Sequence, residues 1–196
     1  MQGYLYDPHT HTAETSKCGH LPAADVVERY VKRGFSGLVV TDHLHPEYLS
    51  RIDTEHDWQK AMDHYLSGYK ASKKRGDELG FDVILGAELR FPQNDNDYLV
   101  YGIDEDWLRS NPYMCCTSAR EFYEKFHNEV LIIHAHPYRD GNTTVFEDAV
   151  DGTEIIKGNP RHENHSDRGV ELCRRHPNYF RLAGSDTHQD LSLIHI

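Results

Sequence analysis

The chain has 196 residues, 38% of them hydrophobic, enough for one domain with a buried core, and no run of about 18 apolar residues that would cross a membrane. A formal net charge of −11 disfavours a nucleic-acid partner, whose binding draws mainly on Lys and Arg, but leaves room for a small phosphorylated substrate whose charge bound cations would offset. The opening residues carry neither a basic stretch nor an apolar export segment, so the cytoplasm is expected, with Cys18, Cys115, Cys116 and Cys173, none in a CxxC spacing, as reduced thiols.

In chain order, residues 4–6 read as a first strand running into Asp7-Pro8-His9. A helix follows over 22–33, with Pro22 at its first turn, an apolar face of Ala23, Val26, Val27, Tyr30 and Val31, and Gly34 as its stop. Residues 37–41 form a buried strand ending at Asp42-His43. A longer helix over roughly 55–75 carries Trp58, Ala61, Met62, Tyr65, Leu66 and Tyr69 and ends at Gly76. Residues 81–91 hold the third strand and 98–103 the fourth. The connection 91–96 is too short for a helical crossover, so these two are expected to pair antiparallel. Ser118 and Glu121 form a capping box for a helix with Phe122 and Phe126. A fifth strand at 130–133 runs into His134-Ala135-His136-Pro137. Weaker strands at 154–156 and 180–183 flank a helix near 164–176 that Pro177 ends. With no repeat, low-complexity tract or linker, one domain is expected over 1–190, with an atypical tail at 191–196. The alternation indicates an α/β fold, and seven strands suggest a closed or nearly closed barrel, with an open sheet as the alternative.

The histidines, 15 of them, decide the chemistry. Ligand types stand at five strand ends: His9 and His11, Asp42 and His43, Glu88, His136, then Asp186 and His188. Parallel strands in such folds end on one face, so these side chains would converge. Imidazoles and carboxylates suit Zn²⁺, Mn²⁺ or Fe²⁺, the set exceeds the needs of one ion, and a Glu with two oxygens can bridge two. The i, i+2 spacing of His9 and His11 points both rings the same way from extended backbone, and Asp186 and His188 repeat it. Pro137 is expected to keep His136 extended. Asp42 reads as a hydrogen-bond partner of the site, and His134 as packing or as a further such partner.

These motifs in this order, Asp7-Pro8-His9-Thr10-His11, Thr41-Asp42-His43, Gly86-Ala87-Glu88, His136-Pro137 and Gly184-Ser185-Asp186-Thr187-His188, resemble the polymerase-and-histidinol-phosphatase (PHP) superfamily of metal-dependent phosphoesterases. The resemblance implies a distorted seven-stranded β/α barrel, TIM-like, with two or three divalent metal ions at the strand C-termini. It implies that His9, His11, Glu88 and Asp186 surround one ion, that Glu88 and His136 share a second, and that His43 and His188 help to hold a third. Where many relatives place a further ligand after the first motif, this chain has Ser16-Lys17-Cys18-Gly19-His20, from which His20 is taken as the ligand ahead of Cys18. Where relatives often carry a His after the fourth strand, Asp104 stands, and an antiparallel strand would point it to the wrong end. Relatives usually continue past the last motif, so a truncated barrel is a further expectation.

The expected reaction is hydrolysis of a small phosphate monoester, histidinol-phosphate-like or nucleotide-like, by a hydroxide formed from water between two cations. Arg139, followed by Arg161 and Arg90, is the candidate for neutralising the phosphate. The leaving oxygen would take a proton from a metal-bound water or a site histidine, and His188 stands with Arg139 as the candidate catalytic pair. A single-strand nuclease of the same superfamily and a catalytically degenerate metal-binding module are the alternatives.

Overall fold

The computed structural model describes residues 3–93, 95–139, 148–159, 163 and 165–189. The expected tail at 191–196 and Arg161 lie outside them. The strands are β1 (Tyr6–Thr10), β2 (Gly37–Val40), β3 (His43–Leu44), β4 (Asp82–Leu85), β5 (Ala87–Arg90), β6 (Asp97–Tyr101), β7 (Leu131–His134), β8 (Gly152–Lys157) and β9 (Phe180–Gly184). The helices are α1 (Ala23–Lys32), α2 (Pro46–Ile52), α3 (Trp58–Tyr65), α4 (Ser67–Leu79), α5 (Glu105–Ser110), α6 (Ala119–Phe126) and α7 (Ser166–Arg175).

The strands form two sheets in a mixed α/β fold. One is all parallel, in the order β1-β2-β4; the other has the order β3-β5-β6-β7-β8-β9. In the second, β5–β6 and β6–β7 are antiparallel and the remaining pairs parallel. The short connection 91–96 therefore reverses the chain, as its length requires. The sheets run into each other because β2 leads into β3 through Thr41-Asp42, and β4 into β5 through Gly86. At the other margin an isolated parallel bridge joins Thr10 to Thr187, with His11 N 3.2 Å from Thr187 O and Asp186 N 3.0 Å from His9 O. Among the described residues the ladders make two sheets and no closed barrel, since they part where the chain bends at 41–42 and at 86.

The helices cover the outer faces. Val26, Val27 and Tyr30 of α1 bury against Leu38, Val40, Phe81 and Val83. A larger core lies under α2, α3, α5 and α6, where Trp58, Met62, Tyr65, Leu108 and Phe122 meet Leu89, Tyr98 and Ile132. The Ser118–Glu121 capping box forms in both directions.

The single helix expected over 55–75 is two. Thr15 reaches the junction, its hydroxyl 2.9 Å from Tyr65 O and 3.3 Å from Gly68 N, so a side chain takes the place of the helical ladder there. Gly76 does not stop α4; an added Cβ would lie 2.7 Å from Phe81 O, so the residue lets the returning chain pack close. The stop is Gly80, in the left-handed conformation at φ 66°. Residues 46–52 form α2, which His45 caps through Nδ1 with Pro46 at the first turn.

Candidate metal centre

The parallel register brings β1, the β2–β3 bend, β5 and the segments after β7 and β9 to one rim. Two buried carboxylates brace its loops. Asp7 Oδ1 accepts from His9 N and Ser185 N, both at 3.1 Å, and Tyr30 donates to Asp7 Oδ2 at 2.5 Å, tying β1 to the segment after β9. Asp42 accepts from Thr12 N at 2.8 Å, Thr12 Oγ1 at 2.6 Å and Ser16 Oγ at 2.6 Å, holding the loop after β1 against the β2–β3 bend. Gly184 permits the closest approach: a Cβ there would sit 2.6 Å from the His9 Cβ and 2.7 Å from Glu154 Oε1.

Glu88 stands at the centre, 1% exposed. Its Oε1 lies 3.0 Å from His136 Nε2 and 3.4 Å from His9 Nε2, and its Oε2 lies 3.0 Å from His43 Nδ1 and 3.2 Å from His11 Nε2. Asp186 Oδ1 is 3.2 Å from His11 Nε2 and 3.5 Å from His9 Nε2. His188 Nδ1 is 2.7 Å from Asp186 O and 3.1 Å from Asn159 Nδ2, which turns its Nε2 away from that carbonyl. His9 Nδ1 is 3.0 Å from Glu154 Oε1, which turns His9 Nε2 towards the centre in the same way. The second oxygen of Glu154 accepts from His136 N at 2.9 Å, so one carboxylate aligns two ligand residues.

Four groups of side chains, each offering donor atoms within 4.8 Å of one another, occur among the described residues: His9, His11 and Asp186; His9, Glu88 and His136; His11, Cys18, His43 and His188; and His43, Glu88 and Asp97. The donor set fits divalent transition metals. Two observations support that fit. His9 Nε2 and His11 Nε2 face each other at 3.1 Å, close to the roughly 3.3 Å between nitrogens that share one tetrahedral ion at about 2.0 Å. Glu88 Oε2 is buried without a hydrogen bond, although two imidazole nitrogens stand beside it.

Mutual charge sets the protonation of these buried groups. Burial opposes a charged ring at His9, but Glu154, Glu88 and Asp186 outweigh it and hold its pKa well above the imidazole range. At His11, the adjacent carboxylates of Asp186 and Glu88 outweigh burial and raise the pKa to about 9. Burial would raise the Glu88 pKa, yet His43 and His9 hold it well below the carboxylate range; at Asp186, His9, His11, His188 and Lys157 do the same against burial. These are groups positioned to exchange protons for cations.

Of the residues expected at the site, His9, His11, His43, Glu88, His136, Asp186 and His188 are brought together. His20 is not. Its side chain is exposed and only its backbone N, 2.8 Å from His188 O, touches this region, whereas Cys18 turns inward. Arg139 lies at the rim, 3.2 Å from Asp97 Oδ2, beside Arg90, which binds both Asp97 oxygens at 2.7 and 2.8 Å. Asp104 caps α5 through Trp107 N at 2.7 Å, at the far end of β6. His134 packs on Tyr98 with ring centroids 5.3 Å apart, and burial lowers its pKa to about 3. Neither His136 nor Asp186 has the extended backbone expected: their φ angles are 29° and 51°, so simple alternation does not aim them. Such conformations cost about 1–3 kcal/mol each and are held by the bonds from His136 N to Glu154 and from Asp186 N to His9 O.

Four residues were missed. Asp97 opens β6, and because that strand runs antiparallel its first residue, not its last, reaches the rim. Glu154 and Lys157 lie on β8; Lys157 Nζ is 2.8 Å from Asp186 Oδ2. Asn159 Nδ2 is 3.1 Å from Asp186 O.

The PHP domain family model matches residues 7–185. Three solved structures share the fold at 16% identity. A two-domain protein from Bacteroides vulgatus, containing a predicted PHP-like metal-dependent phosphoesterase, superposes with a TM-score of 0.67 over 94% of this chain and 52% of its own. A candidate metal-dependent phosphoesterase from Bifidobacterium adolescentis gives 0.63 over 96% and 89%. An amidohydrolase from Chromobacterium violaceum, solved with sulfate and no metal, gives 0.61 over 93% and 87%. This chain thus spans about half the length of the first of these, and at such identity the three show the fold alone. No curated protein sequence matches it.

Proposed function

The chain belongs to the PHP domain family, and from that premise we propose that it is a metal-dependent phosphoesterase acting on a small phosphate monoester. The observation that carries the reading is the placement of Glu88, each of whose oxygens faces its own pair of imidazoles. His9, His11, Glu88 and Asp186 would hold one ion, Glu88 and His136 with Asp97 beside them a second, and His43 and His188 a third, the metals being Zn²⁺, Mn²⁺ or Fe²⁺. The two sheets are then arcs of one distorted seven-stranded barrel whose rim carries the site.

When bound, the ions supply a low-pKa water and neutralise phosphate oxygens. The chain's own residues position and balance. Glu154 aims His9 and His136, and Lys157 and Asn159 fix Asp186. Arg139 and Arg90 form a cationic wall at the edge, balanced by Asp97, against which a phosphate would be oriented. His188, with Nδ1 committed to a carbonyl, serves as a ligand through Nε2 and not also as the acid for the leaving group. The net charge of −11 favours a small ester over a nucleic-acid strand. Among the described residues no helix is long and apolar enough to cross a membrane. A cytoplasmic setting suits the four free cysteines.

The test is a panel of phosphate monoesters, single-stranded DNA and simple amides, assayed with Mn²⁺ or Zn²⁺. Metal-dependent release of phosphate from a monoester, abolished in Glu88→Ala, is expected. Release of mononucleotides would favour the nuclease, cleavage of amides alone would move the reaction to C–N bonds, and no turnover despite bound metal would indicate a degenerate module.

A further inference from the structure

Within that reading, the donor groups on the two sides of Glu88 differ in kind. Imidazoles and carboxylates make up the groups around His9, His136 and Asp186, whereas the group of His11, Cys18, His43 and His188 contains a thiol and no carboxylate. His11 cannot serve two ions through one nitrogen, and its Nε2 already lies 3.2 Å from both Glu88 Oε2 and Asp186 Oδ1. That leaves Cys18, His43 and His188, from three separate segments: the loop after β1, β3, and the segment after β9.

The loop presents Cys18 for this purpose. Gly19 N bonds to Ser16 O at 2.9 Å, His20 N bonds to His188 O at 2.8 Å, and a Cβ on Gly19 would lie 2.6 Å from Thr12 O. Ser16 Oγ accepts from His43 N at 3.0 Å and donates to Asp42. The turn is therefore fixed at both ends, with residue 18 inward and residue 20 outward. Glu88 Oε2, buried and lacking a hydrogen bond, borders the same space 3.0 Å from His43 Nδ1.

We propose that Cys18 is a metal ligand, that Cys18, His43 and His188 form a thiolate-containing position, and that this position selects Zn²⁺ over Mn²⁺ while its neighbours accept either. The inference rests on the metal-dependent reading above. Thiolate is a soft donor that favours Zn²⁺, whereas oxygen-rich sites suit Mn²⁺ and Mg²⁺. On binding, the Cys18 thiol releases its proton to solvent as the sulfur–metal bond forms, with no change of oxidation state.

Cobalt substitution tests this without relying on activity. The Co²⁺-loaded protein is expected to show a sulfur-to-cobalt charge-transfer band in the near ultraviolet. Cys18→Ser should lose the band and one metal equivalent yet keep the other ions and its circular dichroism. Cys18→His should recover the equivalent without the band. Cys116→Ser, which removes the exposed cysteine, and His20→Ala should keep both. With excess Mn²⁺, wild type should retain one Zn²⁺ that Cys18→Ser does not. An undiminished band in Cys18→Ser, or bound cobalt without a band in wild type, overturns the proposal while leaving the metal-dependent reading standing. Failure of wild type to bind any metal overturns both.

Discussion

The two oxygens of Glu88 look into halves of the site that are assembled differently. The Oε1 half is built by sheet register: β5 carries Glu88, Arg90 faces Asp97 across the β5–β6 pair, and Glu154 on β8 holds His9 and His136. The Oε2 half joins His43 of β3, which pairs with Glu88, to loop residues His11, Cys18 and His188, the loops being pinned by buried Asp7 and Asp42. One half is charged and framed by Arg90 and Arg139; the other is mostly imidazole and thiol. Strand pairing places Glu88, Asp97 and His43, whereas hydrogen-bonded carboxylates hold the loops that carry His11, Cys18 and His188. The two halves should therefore fail separately.

Glu88 is the residue that should break both at once. Glu88→Ala is expected to lower metal-dependent turnover by more than the roughly 100-fold upper range for loss of an outer hydrogen-bond partner, and to reduce bound metal on both sides, read by metal analysis. Glu154→Gln should weaken metal binding by about 10–100-fold, because the residue orients two ligands, and the loss should be confined to the Oε1 half, leaving the Co²⁺–thiolate band intact.

A pH series sharpens the comparison in the metal-free protein. The His11 pKa is raised to about 9, so its stabilising contribution is complete below the unfolded value of about 6.5 and is lost as pH rises towards 9. The Glu88 and Asp186 values are depressed, so their contribution is present above the unfolded values near 4 and is lost as pH falls. Urea midpoints with chelator present should therefore be highest between about pH 4.5 and 6.5 and decline towards pH 9. Metal should stabilise more as pH rises across that interval, because binding displaces protons. The smallest effect belongs to His20→Ala: an exposed ring outside both halves should change stability by no more than about 0.5 kcal/mol and leave metal content unchanged in urea unfolding and metal analysis.

How far the sequence could be read follows the same division. Residues at strand ends, from His9 to His188, were legible because apolar runs locate strands and parallel strands share a rim. Asp97 was not, because attention to the C-terminal ends of strands overlooks the one strand that runs backwards, although the short connection 91–96 had already implied it. Glu154 sits where β8 shifts register between Glu154 and Ile156, a bulge that hides its side from any count of alternation. His20 and Cys18 are two residues apart, and spacing alone does not say which side of a turn faces inward; the Gly19 turn does. The positive φ angles of His136 and Asp186 likewise come from tertiary hydrogen bonds that their neighbours in sequence do not reveal.

The most direct measurement is a crystal structure of the protein loaded with Zn²⁺, with anomalous scattering recorded at the zinc edge. Two peaks against the Glu88 carboxylate, one beside His9, His11 and Asp186 and another beside His136, would be the predicted result. A well-ordered centre with a single peak, or with none at saturating zinc, would contradict it.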